Sequence, residues 1–272
     1  MKALVTGATG LVGSHLTKEL LKRGYPVVAM GRNRDKLAEL QNLGAEPLNF
    51  DLTAEYSSFT SLTDYKDHIW FHVASAISGA DDTTLEKVNI EGTDKLIRMA
   101  EHLQIPKFLL VSSISTYGVE SAGALKETAN QQPASRYGET KLIQEQLVKD
   151  SDLEYIIIRP PYIGGPNDEN FLVEFGERIA RGKMPTFSKD GIICYVDARD
   201  LSSALADLAE HPEISDEIFN ITSEKLYHSQ LVEQFRLLLG DDLPEGAHYP
   251  YWFAMVIGFF GEIWATLTGK VA

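Results

Sequence analysis

The stretch that decides the fold is Lys2-Ala3-Leu4-Val5-Thr6-Gly7-Ala8-Thr9-Gly10-Leu11-Val12-Gly13. Residues 2–6 read as a short buried strand that runs directly into glycines spaced G-x-x-G-x-x-G. Residues 14–23 read as a helix ended by Gly24, and residues 25–30 as a second strand. Strand, glycine turn, helix and strand form the mononucleotide-binding βαβ unit. Gly7 supplies the sharp turn, Gly10 leaves the backbone amides open to a pyrophosphate, and Gly13 lets the helix lie close to the sheet. The unpaired amides of the first helical turn, at Leu11 and Val12, then face the phosphates.

Outward from this unit, the end of the second strand bears on the cofactor. NAD-binding sheets place a carboxylate there to hold the adenine ribose. Here the chain reads Val27-Val28-Ala29-Met30-Gly31-Arg32, so the acidic position is vacant and a guanidinium follows. A guanidinium suits a 2′-phosphate, and the expected cofactor is therefore NADP. Asp51, beyond a third strand at 45–50, is a candidate partner for the adenine amino group and equally an ordinary turn residue. A fourth strand at 68–75 ends in Ala74, Ser75 and Ala76, small enough for a dinucleotide to pass. His72 inside that strand reads as a packed structural residue.

A fifth strand at 108–112 ends in Ser112, Ser113 and Ser115, and a helix over 135–149 carries Tyr137 and Lys141 four residues apart on one face. A nearby ammonium and a positively charged nicotinamide both favour tyrosinate, so Tyr137 is placed to exchange a proton with a carbinol oxygen while hydride moves to or from that nicotinamide. A serine hydroxyl at the strand end would hold the same oxygen. Tyr117 has no lysine four residues later and reads as structural.

The 272 residues are 44% apolar, enough for an α/β body with a smaller lobe. The expected division is a dinucleotide-binding core over 1–160 and a substrate lobe over 161–272, with 192–222 returning to the core. Twenty-five basic against thirty-nine acidic residues leave a formal charge of -14, which argues against nucleic acid as a partner. The lone Cys194 excludes an intramolecular disulfide and reads as inert core. With no export segment legible at the start, a cytoplasmic location is expected. Scattered histidines and the absence of Cys-x-x-Cys give no expected metal site.

In this order the motifs strongly resemble the extended short-chain dehydrogenase/reductase family, which includes sugar-nucleotide epimerases, dihydroflavonol-type reductases and 3β-hydroxysteroid dehydrogenases. The resemblance is carried by Thr6 to Gly13, Asp51-Leu52, Phe71-His72-Val73-Ala74, Asn89-Ile90-Glu91-Gly92-Thr93 and Ser112 to Gly118. It continues through Tyr137 to Lys141, Arg159-Pro160, Gly165-Pro166 and Tyr195-Val196-Asp197. It implies a Rossmann-type doubly wound parallel sheet with a small, reduced C-terminal substrate lobe. It also implies Ser113, Tyr137 and Lys141 as the catalytic set, with Asn89 in a supporting role. The implied cofactor-binding residues are Gly7, Thr9, Gly10, Leu11, Val12, Gly13, Arg32, Asp51, Leu52, Ala74, Tyr137, Lys141 and Pro160. After the sixth strand the chain reads Arg159-Pro160-Pro161-Tyr162-Ile163-Gly164, without the asparagine of many nucleotide-sugar enzymes. A chain ending at Ala272 is also short for the family.

Residues 249–270 are apolar on nearly every face. They read as a wall over the substrate opening or as ordinary core, with peripheral membrane contact and a homodimer interface as alternatives and no transmembrane span. The leading expectation is an NADP-dependent oxidoreductase interconverting a carbonyl and an alcohol on a small, apolar or aromatic substrate. The alternatives are a sugar-nucleotide epimerase or dehydratase with tightly bound cofactor, and a non-catalytic dinucleotide-sensing or scaffold protein.

Overall fold

The computed structural model describes residues 1–77, 79–118, 125–169, 171–240 and 242–253. The chain begins with β1 (Ala3–Thr6), α1 (Leu11–Lys22), β2 (Val27–Gly31), α2 (Arg34–Asn42), β3 (Glu46–Asn49) and β4 (Ile69–His72). It continues with α3 (Asp82–Leu85), α4 (Gly92–Leu103), β5 (Phe108–Val111), α5 (Arg136–Lys149), β6 (Tyr155–Arg159) and β7 (Tyr162–Gly164). Next come α6 (Phe171–Ala180), β8 (Thr186–Phe187), β9 (Ile192–Asp197), α7 (Ala198–Glu210) and β10 (Glu217–Asn220). The last described elements are β11 (Glu224–Tyr227), α8 (His228–Leu239) and β12 (His248–Tyr249).

Among the described residues, seven strands form a sheet in the order β10-β6-β5-β4-β1-β2-β3. Every neighbouring pair in it is parallel. Successive residues of β1 point to opposite faces, as the pleat demands. Ala3 and Val5 join Val12, Leu16 and Leu20 of α1 and Leu201 and Leu205 of α7 in one apolar cluster. Leu4 joins Leu96 and Ala100 of α4, Val148 of α5 and Ile157 of β6 on the other. Both faces are thus covered, which makes the sheet doubly wound. The strand order reverses between β1 and β4, so a crevice opens at their carboxyl ends, where Thr6 lies in register with His72.

Two helical stretches depart from regular α geometry. Residues 56–65 form a 3-10 helix, with Phe59 and Leu62 buried three apart. The hydroxyls of Thr60, Ser61 and Thr63 bond back to the carbonyls of Ser57, Ser58 and Thr60 at 2.8, 2.9 and 2.6 Å. Such local bonds compete with the α-helical ladder. The helical stretch ahead of α4 begins at Asp82 and passes through a π-helical turn, Glu86–Glu91. That wider turn holds a fully buried Asn89. Its amide accepts from Ala76 N at 2.7 Å and donates to Ala76 O and to Thr140 Oγ1, each at 3.0 Å.

The chain divides into two compact units, Met1–Ile163 with Val196–Thr222, and Gly164–Tyr195 with the described residues after Thr222. In the second unit Phe175, Ile179 and Met184 pack with Leu231, Val232 and Phe235. There β11 runs antiparallel to β9, with Lys225 opposite Cys194. Cys194 is exposed, not core, because alternation along β9 turns it outward. Among the described residues no helix is long and apolar enough to cross a membrane. Most of the apolar stretch at 249–270 lies outside the described residues.

A Cβ at Gly13 would stand 2.2 Å from the Gly7 carbonyl oxygen, against backbone that cannot swing aside. Gly13→Ala is therefore expected to lower unfolding free energy by about 1–3 kcal/mol in urea titrations, an ordinary cost of overpacking. Gly191→Ala, which meets nothing within 4 Å, should change it little.

Candidate active site

The glycine turn is built by close backbone approach. Gly7 has φ +67° and lies so near Ala74 that a Cβ would be 2.7 Å from the Ala74 N and Cα. Gly31, the vacant acidic position, has its own steric cause, since a Cβ there would meet Thr9 Cγ2 at 2.9 Å. Leu52 is buried beneath Gly92, with its Cβ 3.0 Å from where a Gly92 Cβ would stand. Helices α2, α5 and α7 are capped by the side chains of Asn33, Ser135 and Asp197. In contrast, α1 starts at Gly10 with no side-chain cap and no acidic residue in its first turn. The amides of Leu11, Val12 and Gly13 are arranged as an anion cradle, and the residues present fit a dinucleotide pyrophosphate.

The three serines after β5 take different places. The buried Ser112 hydroxyl donates to Glu145 Oε1 at 2.6 Å. The Ser115 hydroxyl is buried without a hydrogen-bond partner. Ser113 is extended, accepts from Ser115 N at 3.1 Å, and lies in hydrogen-bonding reach of the Tyr137 phenol. Close approach of α5 makes this possible, because Gly138 has no Cβ to strike the Ser115 carbonyl at 2.6 Å. On the same helix Lys141 Nζ sits 5.9 Å from the Tyr137 ring centroid and donates to Val111 O at 3.0 Å. The structure thus brings Ser113, Tyr137 and Lys141 together at the carboxyl edge of the sheet. Pro160 joins them through its carbonyl, which accepts from Ile114 N at 3.0 Å.

Burial pushes the Tyr137 phenol up to about 12, against the opposing pull of the Ser113 bond. Burial also pushes Lys141 down to about 7, partly offset by Glu145. In the protein without a dinucleotide, burial is the larger influence on the phenol. His72 is buried between Thr6 Oγ1 at 2.9 Å and Thr93 Oγ1 at 2.8 Å. Burial and Lys141 together push it down to about 3, so it is a neutral structural bridge. Tyr117 is structural too, receiving Arg159 Nη1 at 2.6 Å and donating to Asn220 Oδ1 at 2.8 Å. Among the described residues no group of three or more His, Cys, Asp or Glu could hold a metal.

Sequence reasoning missed Glu145. It accepts from Arg159 Nε at 2.8 Å and Nη2 at 2.6 Å, with both side chains buried. The legible signal was a glutamate four residues beyond Lys141, facing an arginine that closes an all-isoleucine strand interior.

The family described as "NAD dependent epimerase/dehydratase family" matches residues 3–222. The 2-alkyl-3-oxoalkanoate reductase of Stenotrophomonas maltophilia is 29% identical over 192 residues, covering 68% of this chain and 57% of that enzyme. The UDP-glucose 4-epimerase of Thermotoga maritima, solved with UDP-glucose, has a TM-score of 0.77 at 26% identity, covering 92% of this chain and 86% of its own. The UDP-glucose 4-epimerase of Thermus thermophilus, solved with NAD, has a TM-score of 0.77 at 21% identity, with coverage of 92% and 86%.

These findings correct two expectations. NAD, not NADP, is the dinucleotide in the solved relatives of this fold from Thermus thermophilus, Bordetella bronchiseptica and Bacillus cereus. The physical reason lies in Arg32, whose Nη1 is 3.8 Å from Asp51 Oδ2. A carboxylate beside the guanidinium would repel a 2′-phosphate. The second Asp51 oxygen is engaged by Thr53 N and Oγ1, both at 2.9 Å. The expected NADP-dependent carbonyl–alcohol interconversion on an apolar or aromatic substrate also falls, because the matched family and the solved relatives favour epimerase-type chemistry. The aromatic wall invoked for that substrate lies mostly beyond the described residues.

Lys141 has a testable pH signature. Burial holds it at about 7 in the folded chain, below the ordinary lysine value of 10.5, so between these values the unfolded chain binds the extra proton. Stability from this group must rise with pH across that window, and below about pH 7 the cost of burying the charge is fully present. Lys141→Met should flatten that slope in urea titrations from pH 7 to 10. By its sequence match and by its fold, the chain belongs to the NAD dependent epimerase/dehydratase family.

Proposed function

We propose that the protein binds NAD and acts on a carbinol centre of a nucleotide-sugar, as an epimerase-type oxidoreductase. The observation that carries this reading is the convergence of Ser113, Tyr137 and Lys141 on one edge of the sheet, beside an uncapped helix N-terminus. The UDP-glucose-bound relative from Thermotoga maritima, 26% identical, supports a nucleotide-sugar substrate.

In this reading the amides of Leu11, Val12 and Gly13 hold the pyrophosphate, Asp51 and Leu52 flank the adenine, and Ala74 allows close passage of the chain between. Arg32 stays paired with Asp51 at the outer edge. Pro160 borders the nicotinamide end. NAD, when bound, supplies a two-electron acceptor that can return what it takes.

Ser113 holds the reacting hydroxyl by a hydrogen bond. Tyr137 takes the hydroxyl proton as the carbonyl forms, and returns a proton to the same oxygen when the carbonyl is reduced again. Lys141, anchored on Val111 O, favours the deprotonated phenol during the first step. One acid/base group suffices for both directions, because the oxygen it serves does not change.

The test is interconversion of UDP-glucose and UDP-galactose with NAD present, followed by proton NMR from each side. Wild type is expected to reach one ratio from both starting sugars without accumulating NADH. Tyr137→Phe should slow this by about 10²–10⁴-fold with the fold and NAD binding retained. Failure of wild type on a panel of nucleotide-sugars, or one-way NADH accumulation, overturns the reading.

A further inference from the structure

Beneath the site lies a buried ionic network that the chemistry above does not use. Glu145 stands one helical turn beyond Lys141 on α5, fully buried. Its carboxylate reaches three other segments. Ser112, next to Ser113, donates to Oε1 at 2.6 Å. Arg159, next to Pro160, spans both oxygens at 2.8 and 2.6 Å. Gln131, in the loop ahead of α5, donates to Oε2 at 3.0 Å. Arg159 in turn holds Tyr117 OH at 2.6 Å and Glu127 O at 2.9 Å, which fixes the far end of the turn carrying Ser113.

We propose that Glu145 is a positioning residue for this site: its carboxylate clamps the ends of β5 and β6 to α5, and its charge keeps Lys141 an ammonium beside Tyr137. The inference rests on the acid/base roles given above and deepens them.

The electrostatic argument follows from what faces each group. Lys141 is faced by Tyr137 and Glu145 of its own helix and by His72 of β4, which is neutral. Glu145 is therefore the negative charge that opposes desolvation of the ammonium. It is itself faced by Arg159 from β6 and by Lys149 from α5 at 3.4 Å. Burial would raise its pKa, but Arg159 and Ser112 hold it below the usual carboxylate range. It therefore remains charged throughout the pH range in which Lys141 titrates. A merely structural ion pair would need Arg159 alone; the bond to Ser112 ties the same carboxylate to the strand end that presents Ser113.

The proposal separates charge from reach. Glu145→Gln removes the charge and keeps the length, so Lys141 loses its proton at lower pH and the Tyr137 phenol becomes harder to ionise. The acid limb of kcat/KM for the nucleotide-sugar interconversion should move up by about one pH unit, about tenfold lower rate on that limb. The tyrosinate absorbance at 295 nm, taken as the difference from Tyr137→Phe, should move the same way. Glu145→Asp keeps the charge and shortens the reach, so kcat should fall while the limb stays in place. Should Glu145→Gln fail to fold, Glu145→Gln/Arg159→Met also removes the guanidinium that the lost carboxylate would leave unpaired, and is expected to shift the limb in the same direction.

An unchanged limb and an unchanged phenol titration in a folded variant without the carboxylate would overturn the proposal, as would a limb that shifts equally in Glu145→Asp. If Tyr137→Phe retained full turnover, the acid/base reading itself would fall. If Tyr137 proved essential while the Glu145→Gln profile stayed at the wild-type position, only the role of Glu145 would fall.

Discussion

The structure depends on a contact between backbones, where the Gly7 turn meets the start of α1 at Gly13 and the end of β4 at Ala74. No side chain fits in either approach, as the hypothetical Cβ distances of 2.2 Å at Gly13 and 2.7 Å at Gly7 show. The contact sits at the sheet's topological reversal, so it also sets the depth of the crevice. Because α1 comes this close, its first amides end up over the carboxyl ends of β1 and β4 rather than beyond them. Strand order opens the crevice, and glycine sterics make its floor shallow enough for a dinucleotide to reach backbone donors.

The other side of the crevice is costly in a different way. Lys141, Glu145, Arg159 and His72 are all buried at or near one edge of the sheet. Ionic groups withdrawn from water lose solvation that their mutual attraction only partly restores. The fold limits this cost by completing hydrogen bonds: each Glu145 oxygen has two donors or more, and the Lys141 ammonium has the Val111 carbonyl. His72 avoids the cost by staying neutral between two threonine hydroxyls. Apolar residues of similar volume would pack this region as well, so the network is better explained by what it holds in place than by stability.

Legibility in the sequence followed the range of the interaction. The glycine turn was readable because each glycine's constraint is met within the βαβ unit or at the strand beside it. Tyr137 and Lys141 were readable because helical periodicity alone puts them on one face. The cofactor preference was not, since Arg32 follows one strand and the carboxylate beside it, Asp51, follows another. Cys194 was misplaced for a related reason: its neighbours are apolar, but β9 alternates and turns that position outward. Glu145 sits on a helix among other charged residues, and only its burial distinguishes it. The 3-10 helix at 56–65 was hidden in serine and threonine hydroxyls that bond to their own carbonyls.

The opposing shifts at Tyr137 and Lys141 explain why so much of the chain supports two side chains. A phenol pushed up to about 12 stays protonated at neutral pH, and an ammonium pushed down to about 7 is poised to lose its charge there. Left to desolvation alone, the pair would be neutral phenol beside neutral amine, with no ammonium to favour the tyrosinate that takes the carbinol proton. Every charge brought near Lys141 therefore acts twice, first on the amine and then on the phenol beside it. A lysine in solvent, titrating near 10.4, would be insensitive to such charges at neutral pH. Burial puts the site at the point on the titration curve where a fixed carboxylate one helical turn away has its largest effect, which is why the position of Glu145 matters as much as its presence.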